Sequence, residues 1–134
     1  MGLCLLIWIA GRIFPVHTGI FATPGWILLI AGLALMGWAP IHFRRARTSI
    51  SPYGQPTALI TGGPFRLSRN PIYLADAMVL AGLCLAAQAP YALILLPLFI
   101  RLITTRFIRR EEARLAETFP QDFAAYRRRT RRWL

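Results

Sequence analysis

The stretch from Pro24 to Phe43, PGWILLIAGLALMGWAPIHF, carries no Asp, Glu, Lys or Arg. A transmembrane α-helix needs about 20 consecutive apolar residues to cross the hydrocarbon core of a bilayer, and this stretch has that length. Its Gly25, Gly32 and Gly37 would let a neighbouring helix approach closely. The stretch therefore predicts a membrane-spanning helix, and the fold class that we expect is an all-α membrane protein.

Three further apolar segments accompany this one. The first, Gly2 to Phe14, is short for a complete span and lacks the basic leader of a signal peptide, so we expect a retained membrane segment. Ile72 to Gln88 and Tyr91 to Phe107 are joined so closely that only a tight helical hairpin fits. The sequence thus predicts about four transmembrane helices, the third and fourth forming a hairpin, in a single domain of residues 1–134.

Charge and composition agree with a membrane protein. The chain is 56% hydrophobic, its 16 basic residues are all arginine, and its formal net charge is +11. On a soluble protein this charge would suggest nucleic acid. Arginines that flank apolar segments instead indicate contact with anionic lipid headgroups. We therefore expect a membrane and no nucleic acid among the partners.

The positions of the arginines predict the orientation. They follow the second segment, precede the third and follow the fourth. Because positively charged loops remain in the cytoplasm, these regions and both termini should face the cytoplasm of a bacterial inner membrane. After the fourth segment, Pro120 should break the helix, and a short amphipathic helix of Gln121 to Arg132 should lie in the membrane interface through Phe123 and Tyr126.

Polar residues in the cytoplasmic loop suggest a binding site. The stretch Gly63 to Tyr73, GPFRLSRNPIY, places two arginines and an amide directly before an apolar segment. Glycine permits close approach to a ligand, and the residue before a proline favours extended geometry. The pattern fits either a binding loop at the membrane surface or an interfacial turn with two arginines whose charged ends reach the headgroups.

Charged residues near or within the third and fourth segments are the other candidates. Glu112 shares a helical stripe with apolar residues, whereas Glu111 is turned away by about 100°. A carboxylate on such a stripe needs a partner, which could be Arg66, Arg69 or a cationic ligand. Two charges inside apolar segments, Asp76 and Arg101, fit a structural pair or a contact with substrate.

The two cysteines indicate neither a metal site nor a disulfide. Cys4 and Cys84 lie inside separate apolar segments, and no further Cys or His lies at metal-ligand spacing from them. We therefore expect no metal.

Several of these motifs occur in an order that resembles a known family. They are Thr61-Gly62-Gly63-Pro64-Phe65-Arg66, Ser68-Arg69-Asn70-Pro71-Ile72-Tyr73, Glu111-Glu112, and the terminal Arg131-Arg132-Trp133-Leu134. Over residues 44–134 the chain resembles the isoprenylcysteine carboxyl methyltransferase family and its bacterial relatives, within a wider group that includes phospholipid methyltransferases.

The resemblance implies a multi-pass membrane enzyme that uses S-adenosylmethionine. It implies methyl transfer to oxygen, nitrogen or sulfur of a lipophilic small molecule or lipid. Arg69, Asn70 and Tyr73 are the catalytic candidates. The implied cofactor-binding residues are Gly63, Pro64, Phe65, Arg66, Arg69, Asn70, Pro71, Tyr73, Glu111 and Glu112.

Two other functions stay open from the sequence. Membrane sterol reductases share a related C-terminal architecture and use a reduced nicotinamide cofactor, although such enzymes should need more polar sequence. A non-catalytic membrane protein could use the arginine-rich tail to bind anionic lipid.

Overall fold

The computed structural model describes residues 9, 19–45 and 58–134, and every regular element in them is helical, as predicted. The α-helices are α1 (Ala22–Arg45), α2 (Pro71–Ala86), α3 (Leu95–Ile103), α4 (Arg109–Thr118) and α5 (Pro120–Arg129). Two 3-10 turns cover Gly63–Arg66 and Pro90–Ile94, and a π-helical turn covers Thr104–Ile108. The predicted first segment lies outside the described residues, apart from Ile9.

Within residues 19–45 and 58–134, two helical stretches are long and apolar enough to cross a membrane. They are Ala22–His42, which confirms the predicted second segment, and Pro90–Thr118, each with a mean hydropathy of 1.7. Their apolar side chains are largely exposed: Ile27, Ile30 and Leu98 are 62–64% accessible. A core helix of a soluble protein would hide such residues, so these faces suit lipid. The predicted third segment forms α2, whose 16 residues are fewer than a complete span needs.

The described residues fall into two compact units. The hairpin unit comprises Met1–Ala34 and Ala75–Arg101, and the motif unit comprises Leu35–Leu74 and Leu102–Leu134. The predicted binding loop and Glu112 both belong to the motif unit.

A tight turn ends α2 in the hairpin unit. The Gln88 amide donates to the carbonyl of Leu85 at 3.0 Å, and the Ala89 amide donates to the carbonyl of Cys84 at 2.8 Å. With Gln88 at φ 56°, these bonds form a Schellman motif, which satisfies the last carbonyls of the helix. The buried residues Leu80 and Cys84 of α2 form one cluster with Ala89 and Ala92, which follow the helix.

Glycines bring α1 and α2 together in the hairpin unit. A Cβ on Gly82 would lie 2.8 Å from Cα of Leu29 and 2.9 Å from the carbonyl oxygen of Gly25. A Cβ on Gly32 would lie 2.9 Å from the backbone nitrogen of Val79. The three atoms named are backbone atoms, which cannot rotate away. The two helices therefore pack at a separation that only glycine allows.

The motif unit has its own core. Phe65, Phe123 and Tyr126 are buried, and Leu59, Ile60, Leu115, Ala116 and Phe119 pack around them. Phe123 and Tyr126 therefore use the apolar face of α5 inside the protein. The prediction that this face lies in the membrane interface is wrong for these two side chains, because the turn at Phe65 covers them.

The C-terminal helix also ends earlier than predicted. Pro120 separates α4 from α5 as expected, but α5 stops at Arg129 and not at Arg132. Thr130 has extended backbone angles (φ −129°, ψ 130°), and its amide still donates to the carbonyl of Tyr126 at 3.0 Å. The last residues leave the helix as a result, and Arg131 and Arg132 become free to bond elsewhere.

We expect Gly82→Ala to lower the melting temperature of the purified protein in detergent, because overpacking a closed helix contact costs about 1–3 kcal/mol. The measurement is thermal unfolding followed by intrinsic fluorescence. Gly37→Ala is the matched control, since a Cβ there meets nothing within 4 Å. Equal melting temperatures for the two variants would contradict the close contact.

Candidate functional site

The Gly62–Phe65 segment begins the site with a glycine in the left-handed region of backbone angles. Gly63 has φ +58°, a conformation that side-chain-bearing residues rarely adopt. A Cβ there would also collide with the imidazole ring of His42, at the end of α1. Nδ1 of His42 lies 3.4 Å from the carbonyl oxygen of Trp38, one turn earlier in the helix. Gly63 is therefore required both by the backbone angle and by the histidine beside it.

Tyr126 supports this turn through a hydrogen bond. Its hydroxyl donates a hydrogen bond of 2.6 Å to the carbonyl oxygen of Phe65, and both residues are buried. Burial raises the pKa of the Tyr126 hydroxyl well above its usual value, and the nearby charge of Arg69 opposes this shift only in part. The phenol therefore stays protonated and remains a hydrogen-bond donor.

The C-terminal segment is bonded along the Ser68–Asn70 loop. The Arg69 amide donates to the carbonyl of Arg131 at 3.0 Å. The Ser68 hydroxyl and the Asn70 side-chain amide both donate to the carbonyl of Arg132, at 3.1 and 3.0 Å. Within the loop, the Asn70 backbone amide donates to Ser68 Oγ at 3.1 Å. Asn70 thus has its side-chain nitrogen engaged in holding the chain terminus.

Glu112 joins the same two segments through its carboxylate. Arg132 donates from Nε to Oε1 at 3.1 Å and from Nη2 to Oε2 at 2.6 Å, a bidentate pair. Nη1 of Arg69 lies 3.3 Å from Oε1. The side chain of Glu112 is only 11% exposed, and its hydrogen bonds raise the pKa of the Arg132 guanidinium. Among the predicted partners Arg69 is confirmed, and Arg132 was not anticipated.

Arg69 pairs with Glu112 but has two guanidinium nitrogens that make no hydrogen bond to the described residues. Its side chain is 10% exposed, yet within the described part of the chain neither Nε nor Nη1 donates a hydrogen bond. Burial lowers the pKa of its guanidinium, and Glu112 opposes this shift. A buried guanidinium with unused donors is costly, and an anionic ligand group would satisfy it.

The π-helical turn of Thr104–Ile108 contacts both the start of α2 and the C-terminal segment. Thr104 accepts a hydrogen bond from Trp133 Nε1 at 3.3 Å, and the rings of Phe107 and Tyr73 have centroids 6.3 Å apart. Single π turns inside α-helices occur often at functional sites. Here the turn sets the rotation of α4, which carries Glu111 and Glu112.

The predicted residues separate into those that hold the loop and those available to a ligand. Pro64, Phe65, Asn70 and Pro71 are buried, whereas Arg66 is exposed. Of the two arginines, only Arg69 reaches Glu112. Tyr73, Glu111 and Glu112 are partly buried.

Sequence reasoning missed two contributors, His42 and Arg132. His42 lies at the end of an apolar stretch, and only the contact with Gly63 singles it out. Arg132 was counted within a run of basic residues, although its position next to the aromatic Trp133 was a signal that the run does not simply face solvent.

Comparison with known proteins identifies the family. A model of the phospholipid methyltransferase family matches residues 20–122 of the 134. The chain belongs to the phospholipid methyltransferase family. The resemblance noted in the sequence is confirmed at this level, and the family indicates a membrane methyltransferase.

One curated relative supports the assignment over part of the chain. Cobalt-zinc-cadmium resistance protein CzcN from Cupriavidus metallidurans is 36% identical over 72 residues. The match covers 54% of this chain and 33% of that protein, so the aligned part spans about a third of the relative's length. No solved structure matches the chain.

A double-mutant cycle with Glu112→Gln and Arg132→Gln tests the carboxylate pair. We expect a coupling of roughly 1–3 kcal/mol in the free energy of unfolding, because a hydrogen-bonded, mostly buried charge pair is lost. Denaturant titration in mixed micelles measures it. The same cycle with Glu117→Gln and Arg110→Gln, both exposed on α4, should be additive within about 0.5 kcal/mol. Additivity in the first cycle would refute the bidentate pair.

Tyr126→Phe tests the support of the turn. The variant keeps the ring and loses only the donor to Phe65, so we expect a loss of about 1 kcal/mol in unfolding free energy. Thermal unfolding in detergent measures the change. Tyr91→Phe, which alters an exposed phenol in the hairpin unit, serves as the control and should leave the melting temperature unchanged. Equal melting temperatures for Tyr126→Phe and Tyr91→Phe would show that the hydroxyl of Tyr126 does not stabilise the turn.

Proposed function

We propose that the protein transfers a methyl group from S-adenosylmethionine to a lipophilic acceptor at the cytoplasmic membrane face. Membership of the phospholipid methyltransferase family supports methyl transfer in a membrane. The observation that carries the choice of cofactor is the pair of unused donors on Arg69.

The residues of the motif unit fit S-adenosylmethionine. Its amino-acid head bears a carboxylate, which matches the Arg69 guanidinium nitrogens that make no hydrogen bond within the described residues. Its ribose diol and ammonium group need an acceptor. Both oxygens of Glu112 already accept from Arg132, so we assign that contact to Glu111, which follows the π turn and precedes Glu112.

The loop would enclose this group through its backbone. Gly62 and Gly63 add no side chain between the backbone and a ligand, and Pro64 and Pro71 stiffen the two ends of the loop. Tyr126 and the C-terminal segment hold it in one conformation. Tyr73 lies in the first turn of α2 beside Phe107, where an aromatic surface can exclude water.

The cofactor supplies an electrophilic methyl group on a positively charged sulfur. The protein's part is then to orient the acceptor in line with that methyl and to keep water out, so positioning and desolvation provide most of the rate enhancement. A carboxylate acceptor needs no general base. The class of acceptor atom follows from the chemistry of the substrate and is not fixed by the residues of the loop.

Calorimetric titration of the purified protein in detergent tests the proposal. We expect S-adenosylmethionine to bind and reduced nicotinamide cofactor not to bind. Arg69→Lys keeps the charge but loses the forked donors, so the dissociation constant should rise at least about tenfold, equivalent to 1.4 kcal/mol. Glu111→Gln should weaken binding in the same direction.

Matched controls separate recognition from general damage. Arg110→Gln and Glu117→Gln change exposed charges on α4 and should bind like wild type. Melting temperatures identify any variant that fails to fold. Binding of the reduced nicotinamide cofactor in place of S-adenosylmethionine would contradict the proposal. Wild-type affinity of Arg69→Lys for S-adenosylmethionine would also contradict it.

A further inference from the structure

The exposed face of α5 carries arginines that the proposed methyl-transfer site does not use. Arg127 and Arg128 follow Ala124 by three and four positions, so the three side chains are neighbours on one helix face. These residues line a surface cavity of about 380 Å³. Cavities of roughly 300–1,000 Å³ are typical of small-ligand sites. Because Ala124 contributes only a methyl group, both long side chains have room to approach a ligand.

The charge of this face is not neutralised by the protein. The described residues show Glu112 paired with Arg69 and Arg132, and neither of these ion pairs includes Arg127 or Arg128. Both arginines are exposed. Two adjacent guanidinium groups without a carboxylate partner favour an anion, and their forked donors match phosphate oxygens.

Arg127 is also restrained before any ligand arrives. Its guanidinium carbon lies 6.0 Å from the centroid of the Phe123 ring, and that ring is buried in the core of the motif unit. A cation–π contact of this kind limits the freedom of the arginine side chain. Less conformational entropy is then lost when the arginine binds a ligand, which favours a defined site over a diffuse charged surface.

The position in the chain indicates the source of the anion. Helix α5 begins two residues after Pro90–Thr118, one of the two stretches able to cross a membrane. Basic residues near the cytoplasmic end of a span are attracted to the anionic phosphates of lipid headgroups. We propose that Ala124, Arg127 and Arg128 form a binding site for the phosphate group of an anionic phospholipid. None of these three residues is among those that we assign to S-adenosylmethionine, although the charge of Arg127 acts on Arg69.

Native mass spectrometry of the detergent-purified protein tests the site. Wild-type protein should retain phosphatidylglycerol in clear preference to phosphatidylcholine. The double variant Arg127→Gln with Arg128→Gln should retain at least fivefold less phosphatidylglycerol. Arg109→Gln with Arg110→Gln removes the same charge from exposed positions on α4 and should behave like wild type.

The outcomes distinguish the alternatives. Equal loss in both double variants would show general attraction to the positive surface and would overturn the site. Equal retention of the two lipids by wild type would also overturn it. Saturable binding of inorganic phosphate that blocks the lipid at matched concentration would assign the cavity to free phosphate. If the double variant melts early, Arg128→Gln alone, which spares the contact with Phe123, replaces it.

Discussion

Glu112 is the residue on which the motif unit depends. Its carboxylate is mostly buried, and a carboxylate in that position is stable only when positive donors surround it. Arg132 supplies two hydrogen bonds and Arg69 supplies a third contact. The same backbone that presents Arg132 also accepts the bonds of Ser68 and Asn70, so satisfying one charge fixes the loop and the chain terminus together.

This arrangement changes how substitutions at Glu112 must be interpreted. From sequence, a lost carboxylate would point to a lost ligand contact. In the structure, Glu112→Ala would remove the carboxylate that pairs with Arg69 and Arg132 and would weaken the attachment of the C-terminal segment to the loop. Loss of cofactor binding in that variant would then follow from a displaced loop, whereas Glu111 and Arg69 are the residues whose substitution reports on recognition itself.

The sequence was sufficient for the elements whose pattern is local. The uncharged run of α1 and the break at Pro120 are properties of neighbouring residues, and both were predicted within about two positions. The placement of Arg66 and Arg69 was not predictable in this way, because both are arginines in one loop. Only the 3-10 turn at Gly63–Arg66 decides that the first faces solvent and the second is buried.

The arginine-rich tail is a second case in which the sequence did not predict the environment of each arginine. Composition treats Arg127, Arg128, Arg131 and Arg132 as one basic run, yet Thr130 ends the helix and gives them different partners. Arg132 bonds to Glu112, whereas Arg127 and Arg128 stay exposed on the helix. The extended residue Thr130 therefore divides the basic run into two parts, the structural ion pair of Arg132 and an exposed surface suited to phosphate. The two parts should respond differently to salt, because screening acts mainly on exposed charges.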